Sequence, residues 1–122
     1  MAIEAVASAS ATLAVILAVN NSLVAEVLAR FGSHAQQRRW LLPLATGRVV
    51  GAFALSEVNA GTDAAHQETT AIADEDRYVL FGAKVRVANA AVAGVILVFV
   101  ATTPGIGGRG VSAFLSQRIR RG

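Results

Sequence analysis

The stretch Gly51-Ala-Phe-Ala-Leu-Ser-Glu-Val-Asn-Ala-Gly-Thr-Asp63 lies where helix-like sequence gives way to strand-like sequence. The residues from Val49 to Ser56 are apolar and few enough for a buried strand, whereas Glu57 to Asp63 have the composition of a turn. The sequence therefore predicts a polar loop that leaves a buried strand. Its backbone N–H groups and the hydroxyls of Ser56 and Thr62 would suit an anionic or heteroaromatic ligand, although a loop between two strands is polar whether or not it binds anything.

The composition is that of one small domain or a piece of a larger protein. Of the 122 residues, 54% are hydrophobic and only 16% are charged, which favours association with another chain or segment. The absence of cysteine excludes disulfides, thiol chemistry and cysteine-based metal sites. His34 and His66 lie far apart without an acidic cluster, so they are expected to be surface residues rather than metal ligands. Nothing in the composition argues for secretion, and a cytoplasmic location is expected.

The net charge of +3 raises the possibility of a nucleic-acid partner. Three of the arginines, however, are Arg118, Arg120 and Arg121 in the last five residues, and no aromatic residues that could stack on bases alternate with them. A solvated basic tail at 117–122 is therefore predicted, and nucleic-acid binding is the least favoured interpretation.

An apolar run from Ala5 to Val19 resembles a membrane segment in composition. It is shorter than the ~20 residues that a spanning helix needs, and it lacks the positively charged start of a signal peptide. We therefore expect a buried helix and no membrane partner, with a weak anchor as the alternative.

The first 47 residues predict three helices. The first would span Met1 to Val19 and the second Leu23 to Phe31, with a cap from the Asn20-Asn21-Ser22 run and a left-handed Gly32 at its end.

The third helix is predicted to begin at Ser33, because Ser33 and Gln36 match a capping box. Pro43 should kink or end this helix, and Gly47 should close the segment.

From Arg48 onward the pattern is that of strands separated by turns. Asp74-Glu75-Asp76 and Phe81-Gly82 are predicted hairpin turns, and Thr103 to Gly108 a flexible connection. About six strands at this spacing predict an antiparallel sandwich or barrel. The predicted strands are Val49–Ser56, Glu68–Ala73, Arg77–Phe81, Ala83–Asn89, Val95–Thr102 and Gly110–Ser116.

Short motifs follow one another along the sequence in a fixed order. They are Asn20-Asn21-Ser22, Phe31-Gly32-Ser33, Gln36 to Leu41, Pro43 to Gly47, Phe53 to Glu57, Ala60 to Asp63, Tyr78 to Leu80, Gly82, Lys84, Asn89 and Gly110 to Leu115. Together, in this order, they resemble the acyl-CoA dehydrogenase family of flavoenzymes. The resemblance covers roughly residues 1 to 116 and implies an α+β fold: N-terminal helices, then an antiparallel, mainly β domain of about six strands. It places the end of the family's N-terminal helical domain at 1–47, most of the central β-domain at 48–116 and a basic tail at 117–122.

The resemblance implies an FAD-dependent oxidoreductase that dehydrogenates acyl-CoA thioesters between the α and β carbons. In the family, a C-terminal four-helix bundle carries the glutamate that removes the α-proton. No residue of this sequence matches that glutamate, so no catalytic residue is assigned and the chain alone is expected to be inactive. The implied partners are the acyl-CoA substrate, electron-transferring flavoprotein, and either further copies of the chain or a complementary chain.

The family's flavin-contacting segments fall on two parts of this sequence. Thr62 is implied as a contact for the CoA side of the substrate as well as for the cofactor. In the second segment the family's Trp-Ile-Thr-Asn reads Arg86-Val87-Ala88-Asn89, which replaces an aromatic face and a hydroxyl and weakens the expected flavin binding. The implied cofactor-binding residues are Phe53, Leu55, Ser56, Gly61, Thr62, Arg86, Val87 and Ala88.

These departures leave a second interpretation open, a non-catalytic module derived from the family that binds flavin, CoA or protein. A truncated or frame-disrupted gene product would explain both the changed flavin positions and the unrelated tail after Ser116. Surfaces that the family buries against other segments would then be exposed, which predicts self-association.

Overall fold

The computed structural model describes residues 2–117. Arg118, Arg120 and Arg121 of the predicted basic tail, like Met1, lie outside the described residues. The helical elements are α1 (Ala2–Ala9), α2 (Ala11–Ala18), a π-helical segment (Val19–Ala25), α3 (Glu26–Phe31) and α4 (His34–Ala45).

The helix boundaries differ from the prediction at two places. The first predicted helix is divided at Ser10, whose extended backbone and hydroxyl cap α2 by accepting a hydrogen bond from Leu13 N at 3.3 Å. The predicted break at Asn20 to Ser22 was wrong, because α2, the π-helical segment and α3 follow one another without interruption. These polar residues were interpreted as caps, which the sequence alone could not distinguish from buried hydrogen-bonding groups.

Asn20 is buried and bonds to parts of the chain that are distant in sequence. Its Oδ1 accepts a hydrogen bond from Gly51 N at 2.9 Å, and its Nδ2 donates to Leu44 O at 3.4 Å. Asn89 completes the arrangement, since its Nδ2 donates to Gly51 O at 3.0 Å and to Ile16 O at 3.3 Å. Both backbone polar groups of Gly51 are therefore satisfied by side-chain amides, which fixes the start of the first strand against the helices.

The capping box at the start of α4 is confirmed. Gln36 N donates to Ser33 Oγ at 3.3 Å, and Ser33 N donates to Gln36 Oε1 at 2.8 Å. Gly32 precedes it with φ −70° rather than in the predicted left-handed conformation; its lack of a side chain matters because a Cβ would lie 2.5 Å from Leu28 O. Pro43 lies inside α4, which continues to Ala45, and Gly47 follows with φ +70°.

The described residues contain five strands in one mixed sheet, and the α+β fold class is confirmed. Their order is β1-β4-β2-β3, with β5 also paired to β4. The prediction of purely antiparallel pairing was wrong in one respect, because Thr70 of β2 pairs with Ala101 of β4 in a parallel ladder. The strands are β1 (Gly51–Ala54), β2 (Thr70–Asp74), β3 (Arg77–Phe81), β4 (Val95–Ala101) and β5 (Val111–Gln117).

No strand forms at 83–89, where the sixth was predicted. Arg86 and Asn89 both have positive φ values, 53° and 66°, which interrupt an extended backbone. The apolar composition of this segment therefore reflects partial burial in a loop.

The first predicted hairpin is confirmed. Strands β2 and β3 pair antiparallel with Asp74 opposite Arg77, and Glu75 between them takes φ +55°. At the second predicted turn the left-handed residue is Gly82, with φ +146°, whereas Phe81 remains in β3 opposite Thr70. The predicted hairpin at Phe81-Gly82 was wrong, because no strand follows at 83–89.

The chain divides into two compact units. Of the described residues, the first contains 2–53, Ala88–Ile96 and Gln117, and the second contains Ala54–Val87 and Leu97–Ser116. The core of the first unit includes Val24, Leu28, Leu44 and Val95, and that of the second includes Ala54, Leu97, Val98 and Val100.

One helical stretch, Ala11–Phe31, is long and apolar enough to cross a membrane by length and composition alone. It has 21 residues and a mean hydropathy of 1.8, with 28% of its most apolar window buried. Core helices of soluble proteins can have the same length and hydropathy. The expectation that this chain has no membrane partner stays a prediction.

Replacing Asn20 by alanine should lower the free energy of unfolding by about 2 kcal/mol, because it leaves the buried N–H of Gly51 without an acceptor. The exposed residue Ser22 provides the control, because its side chain makes no hydrogen bond within residues 2–117, and Ser22→Ala should cost only a few tenths of a kcal/mol. Urea unfolding followed by the fluorescence of Trp40, the single tryptophan, measures both. Equal losses in the two variants would contradict the role assigned to Asn20.

Candidate functional site

A buried carboxylate lies in the middle of the stretch from Gly51 to Asp63. The Glu57 side chain is 3% exposed, and its Oε1 accepts hydrogen bonds from Lys84 Nζ at 2.5 Å and from Thr69 N at 3.1 Å. Its Oε2 accepts from Glu68 N at 2.6 Å. A buried charge is tolerated only when it is paired and hydrogen-bonded, and both oxygens of Glu57 meet that condition.

Lys84 forms the other half of this arrangement. Besides Glu57, its ammonium group donates to Leu55 O at 3.1 Å and to the side-chain oxygen of Gln67. All three N–H donors of the ammonium group are thereby satisfied. Lys84 thus joins the segment that contains it to the end of the first strand and to the loop that follows.

The backbone reinforces this connection. Val85 N donates to Ser56 O at 2.9 Å, and Glu57 N donates to Ala60 O at 3.0 Å. The first bond holds the Lys84 segment alongside Ser56, and the second closes the turn that presents Gly61. The polar loop predicted after the strand is therefore anchored at both its start and its middle.

The hydrogen bonds around Glu57 determine its acidity. Burial raises the pKa of the Glu57 carboxyl, but the Lys84 ammonium, the nearby Thr69 side chain and the N–H groups of Glu68 and Thr69 outweigh burial and lower the pKa from 4.5 to about 2. The Thr69 hydroxyl itself is buried without a hydrogen bond of acceptable geometry, so Lys84 and the two N–H groups are the principal stabilising partners. Glu57 is therefore ionised throughout the physiological pH range.

A pocket of about 310 Å³ opens beside this anchor, and we call it the loop pocket. It brings together residues from the two sequence segments that the Glu57–Lys84 pair connects. Its lining residues are Ser56, Glu57, Val58, Gly61, Val85 and Arg86.

Three of the predicted site residues, Ser56, Gly61 and Arg86, line the loop pocket. Leu55 contributes its carbonyl oxygen to Lys84, but neither its side chain nor Thr62 or Val87 lines the pocket. Thr62 is exposed, and Val87 is partly buried.

The other two predicted site residues belong to the first unit. Phe53 is partly buried in β1. Ala88 lines an open, mainly apolar groove of about 510 Å³ together with Asn89, Val92 and residues of α2. Their predicted role in cofactor binding stays a prediction.

Both histidines are exposed, as expected, and His66 Nδ1 lies 3.1 Å from Asp63 Oδ2. Within residues 2–117 no group of three or more histidine, aspartate or glutamate side chains could hold a metal ion.

The ion pair between Glu57 and Lys84 is not predicted by the sequence alone. Glu57 and Lys84 are 27 residues apart, and nothing in their spacing indicates that they meet. The only available signal was a single carboxylate that follows directly on an apolar strand, where its burial would demand a cation. Gln67, the third side chain of the arrangement, carried no signal at all.

Two family models match the chain. The acyl-CoA dehydrogenase N-terminal domain matches residues 1–48, and the acyl-CoA dehydrogenase middle domain matches residues 52–122. The chain belongs to the acyl-CoA dehydrogenase family. The second match continues to residue 122, beyond Ser116, where the resemblance was expected to end.

Similar curated proteins are acyl-CoA dehydrogenases. The short-chain specific acyl-CoA dehydrogenase of Clostridium acetobutylicum is 36% identical over 97% of this chain, which covers 31% of that protein. The mitochondrial short-chain specific enzyme of Bos taurus is 40% identical over 94% of the chain, which covers 28% of it. This acyl-CoA dehydrogenase family chain thus spans about a third of the length of these relatives.

Several solved structures share the fold of this chain. Butyryl-CoA dehydrogenase from Megasphaera elsdenii matches 95% of the chain at 38% identity with a TM-score of 0.92, and the chain covers 30% of it. PigA, solved with FAD and proline, matches 88% at 34% identity with a TM-score of 0.85, and the chain covers 28% of it. A chain described under the electron transferring flavoprotein of Acidaminococcus fermentans matches 88% at 39% identity with a TM-score of 0.85, and 28% of it is covered.

The low pKa of Glu57 makes the fold sensitive to acid. A carboxyl whose pKa is lower in the folded state stabilises the fold above its unfolded pKa, here 4.5, and that stability is lost as the pH falls towards about 2. The difference between the unfolded and folded pKa values of Glu57 corresponds to a loss of about 3 kcal/mol in unfolding free energy by pH 2. Urea unfolding at a series of pH values should show this loss in the native chain.

The double variant Glu57→Gln/Lys84→Met removes both charges and serves as the comparison. Its unfolding free energy should fall by about 3 kcal/mol less than that of the native chain between about pH 5 and pH 2. Parallel pH profiles for the two proteins would contradict the assignment.

Proposed function

We propose that this chain forms the flavin-facing part of an FAD-dependent acyl-CoA dehydrogenase, an oxidoreductase that acts on the CH–CH group of acyl-CoA thioesters. Family membership supports this, as do relatives named as short-chain acyl-CoA dehydrogenases and a structural neighbour solved with FAD. The observation that carries the proposal is the loop pocket, in which Ser56, Gly61 and Arg86 come together.

The residues of the loop pocket fit a flavin. A Cβ added at Gly61 would meet nothing within 4 Å, and the backbone there is not left-handed. Within the described residues, neither packing nor backbone conformation therefore requires a glycine at position 61. The absence of a side chain there leaves space in the pocket. The Ser56 hydroxyl and the Gly61 N–H make no hydrogen bond within residues 2–117, so both can bond to the polar edge of a flavin ring.

Bound FAD would accept a hydride from the β-carbon of the thioester. In that reaction the residues of this chain would bind the cofactor and orient it. Lys84 and Glu57 hold Leu55 and Ser56 in place, so that the Ser56 hydroxyl is presented from a fixed backbone. Thr62, exposed next to Gly61 in the sequence, is proposed to contact the acyl-CoA.

We further propose that the chain does not dehydrogenate a substrate by itself. No residue of the sequence resembles the family's catalytic glutamate, and Glu57 cannot substitute for it. A carboxylate that accepts three hydrogen bonds and has a pKa of about 2 is a poor base at neutral pH. Removal of the α-proton then requires a residue from a complementary chain or from a further segment.

The proposed partners follow from the family. They are an acyl-CoA, electron-transferring flavoprotein as electron acceptor, and further copies of the chain or a complementary chain. A structural neighbour described under electron transferring flavoprotein supports the second of these. Exposed apolar side chains, among them Phe31, Val92 and Phe81, support the third. A cytoplasmic location remains part of the proposal.

The alternative is a non-catalytic module that binds flavin, CoA or protein. Arg86 favours it, since a charged side chain lines the loop pocket where the family places an aromatic one. A purified protein that binds a partner chain but holds no flavin would support this alternative.

Flavin binding should depend on the open space at Gly61. Gly61→Ala should weaken FAD binding by about tenfold, because the added methyl enters the pocket, while the stability of the fold stays equal or rises by about 0.5 kcal/mol. Gly108→Ala is the matched control, since its Cβ would meet only Ala65 at 3.8 Å, and it should leave FAD binding unchanged. Titration with FAD, followed by flavin absorbance and fluorescence, measures all three proteins. A folded native chain that holds no FAD would overturn the flavin proposal.

A further inference from the structure

The loop pocket carries an uncompensated positive charge. Two ionisable residues line it, Glu57 and Arg86. The carboxylate of Glu57 is paired with Lys84 and bonded to two backbone N–H groups. Arg86, in contrast, is exposed and forms neither an ion pair nor a hydrogen bond with any residue from 2 to 117. The charge left for a ligand to meet is therefore the guanidinium.

Several hydrogen-bond donors of the pocket are unused. Ser56 O is occupied by Val85 N, and the Glu57 oxygens are occupied as described. The groups that remain without a partner in the described part of the chain include the Ser56 hydroxyl, the Gly61 N–H and the Arg86 guanidinium. Donors beside a positive charge are what an anion requires, whereas the Arg86 guanidinium would repel a cation.

The backbone at Arg86 is held in a costly conformation. Its φ of +53° lies in the left-handed region, where a non-glycine residue costs about 1 kcal/mol. The neighbouring bonds of Lys84 to Glu57 and of Val85 to Ser56 hold the segment in place. This conformation ends the extended segment at the position where the arginine lines the pocket.

We propose that the loop pocket binds a negatively charged group, with Arg86 as its charge partner and Ser56 and Gly61 as donors. This refines the proposed function, on which it rests for the kind of ligand, and it makes Arg86 a determinant of ligand charge instead of a lost flavin contact. Two ligands share this chemistry, namely the phosphate groups of a nucleotide and an anionic heteroaromatic ring.

The experiment uses three small probes with the whole chain, measured by calorimetric titration. Pyrophosphate represents the phosphate source, orotate is a planar anionic heterocycle, and uracil is its uncharged counterpart. The native chain should bind pyrophosphate or orotate saturably, more weakly as salt is added, and should not bind uracil comparably. The anion that binds more tightly identifies the source.

Variants of Arg86 test the residue itself. Arg86→Gln should weaken anion binding by about tenfold, and Arg86→Lys should retain most of it. Arg109→Gln is the matched control: Arg109 belongs to the same unit, has no ion pair within residues 2–117 and does not line the pocket, so its removal should have no effect. Circular dichroism of each variant checks that the fold is retained.

The proposal is overturned if neither anion binds the folded native chain, if uracil binds as tightly as orotate without any pyrophosphate binding, or if Arg86→Gln binds as the native chain does. A separate FAD titration keeps this result distinct from the flavin proposal. Anion binding without FAD binding supports the anion site and removes the flavin assignment. FAD binding without binding of either anion retains the flavin assignment and removes the anion site.

Discussion

The ion pair between Glu57 and Lys84 is the interaction on which the candidate site depends. It lies almost fully out of solvent, with side chains 3% and 10% exposed, and it joins residues 27 positions apart. Breaking a buried pair by removing one partner costs about 3–5 kcal/mol, because the remaining charge has no compensation. The pair therefore fixes the path of the loop after β1 and the path of the segment around Arg86 at once. The loop pocket is the space that this constraint leaves between them.

The same pair explains why two charged residues of one site have different roles. Glu57 is saturated by hydrogen bonds and has no capacity to accept a proton at neutral pH, so its role is positional. Arg86 is unpaired within the described residues and faces the pocket region, so its charge is available to a ligand. Family membership alone does not distinguish the roles of Glu57 and Arg86, because it does not show which residues their side chains contact.

Local signals in the sequence predicted local structure well. The capping box of Ser33 and Gln36 and the turn at Glu75 depend on residues within four positions of one another, and both are present in the structure. Predictions of secondary structure were wrong where one local sequence pattern is compatible with two different structures. Asn20 has the composition of a cap but serves as a buried donor and acceptor, and the apolar segment at 83–89 is a partly buried loop held by Lys84 and Val85.

The sequence by itself determined the fold class, the family and the loop that carries most of the candidate site, because composition, periodicity and ordered motifs are properties of neighbouring residues. It also placed Ser56, Gly61 and Arg86 among the site residues, and the structure brings these three together. Only the tertiary structure decided that Glu57 pairs with Lys84 and that Asn20 and Asn89 both bond to Gly51. It also decided that Arg86 lines the loop pocket without an ion pair to any residue from 2 to 117. These contacts join distant parts of the chain, and their energies arise from burial and hydrogen bonding that exist only once the chain has folded.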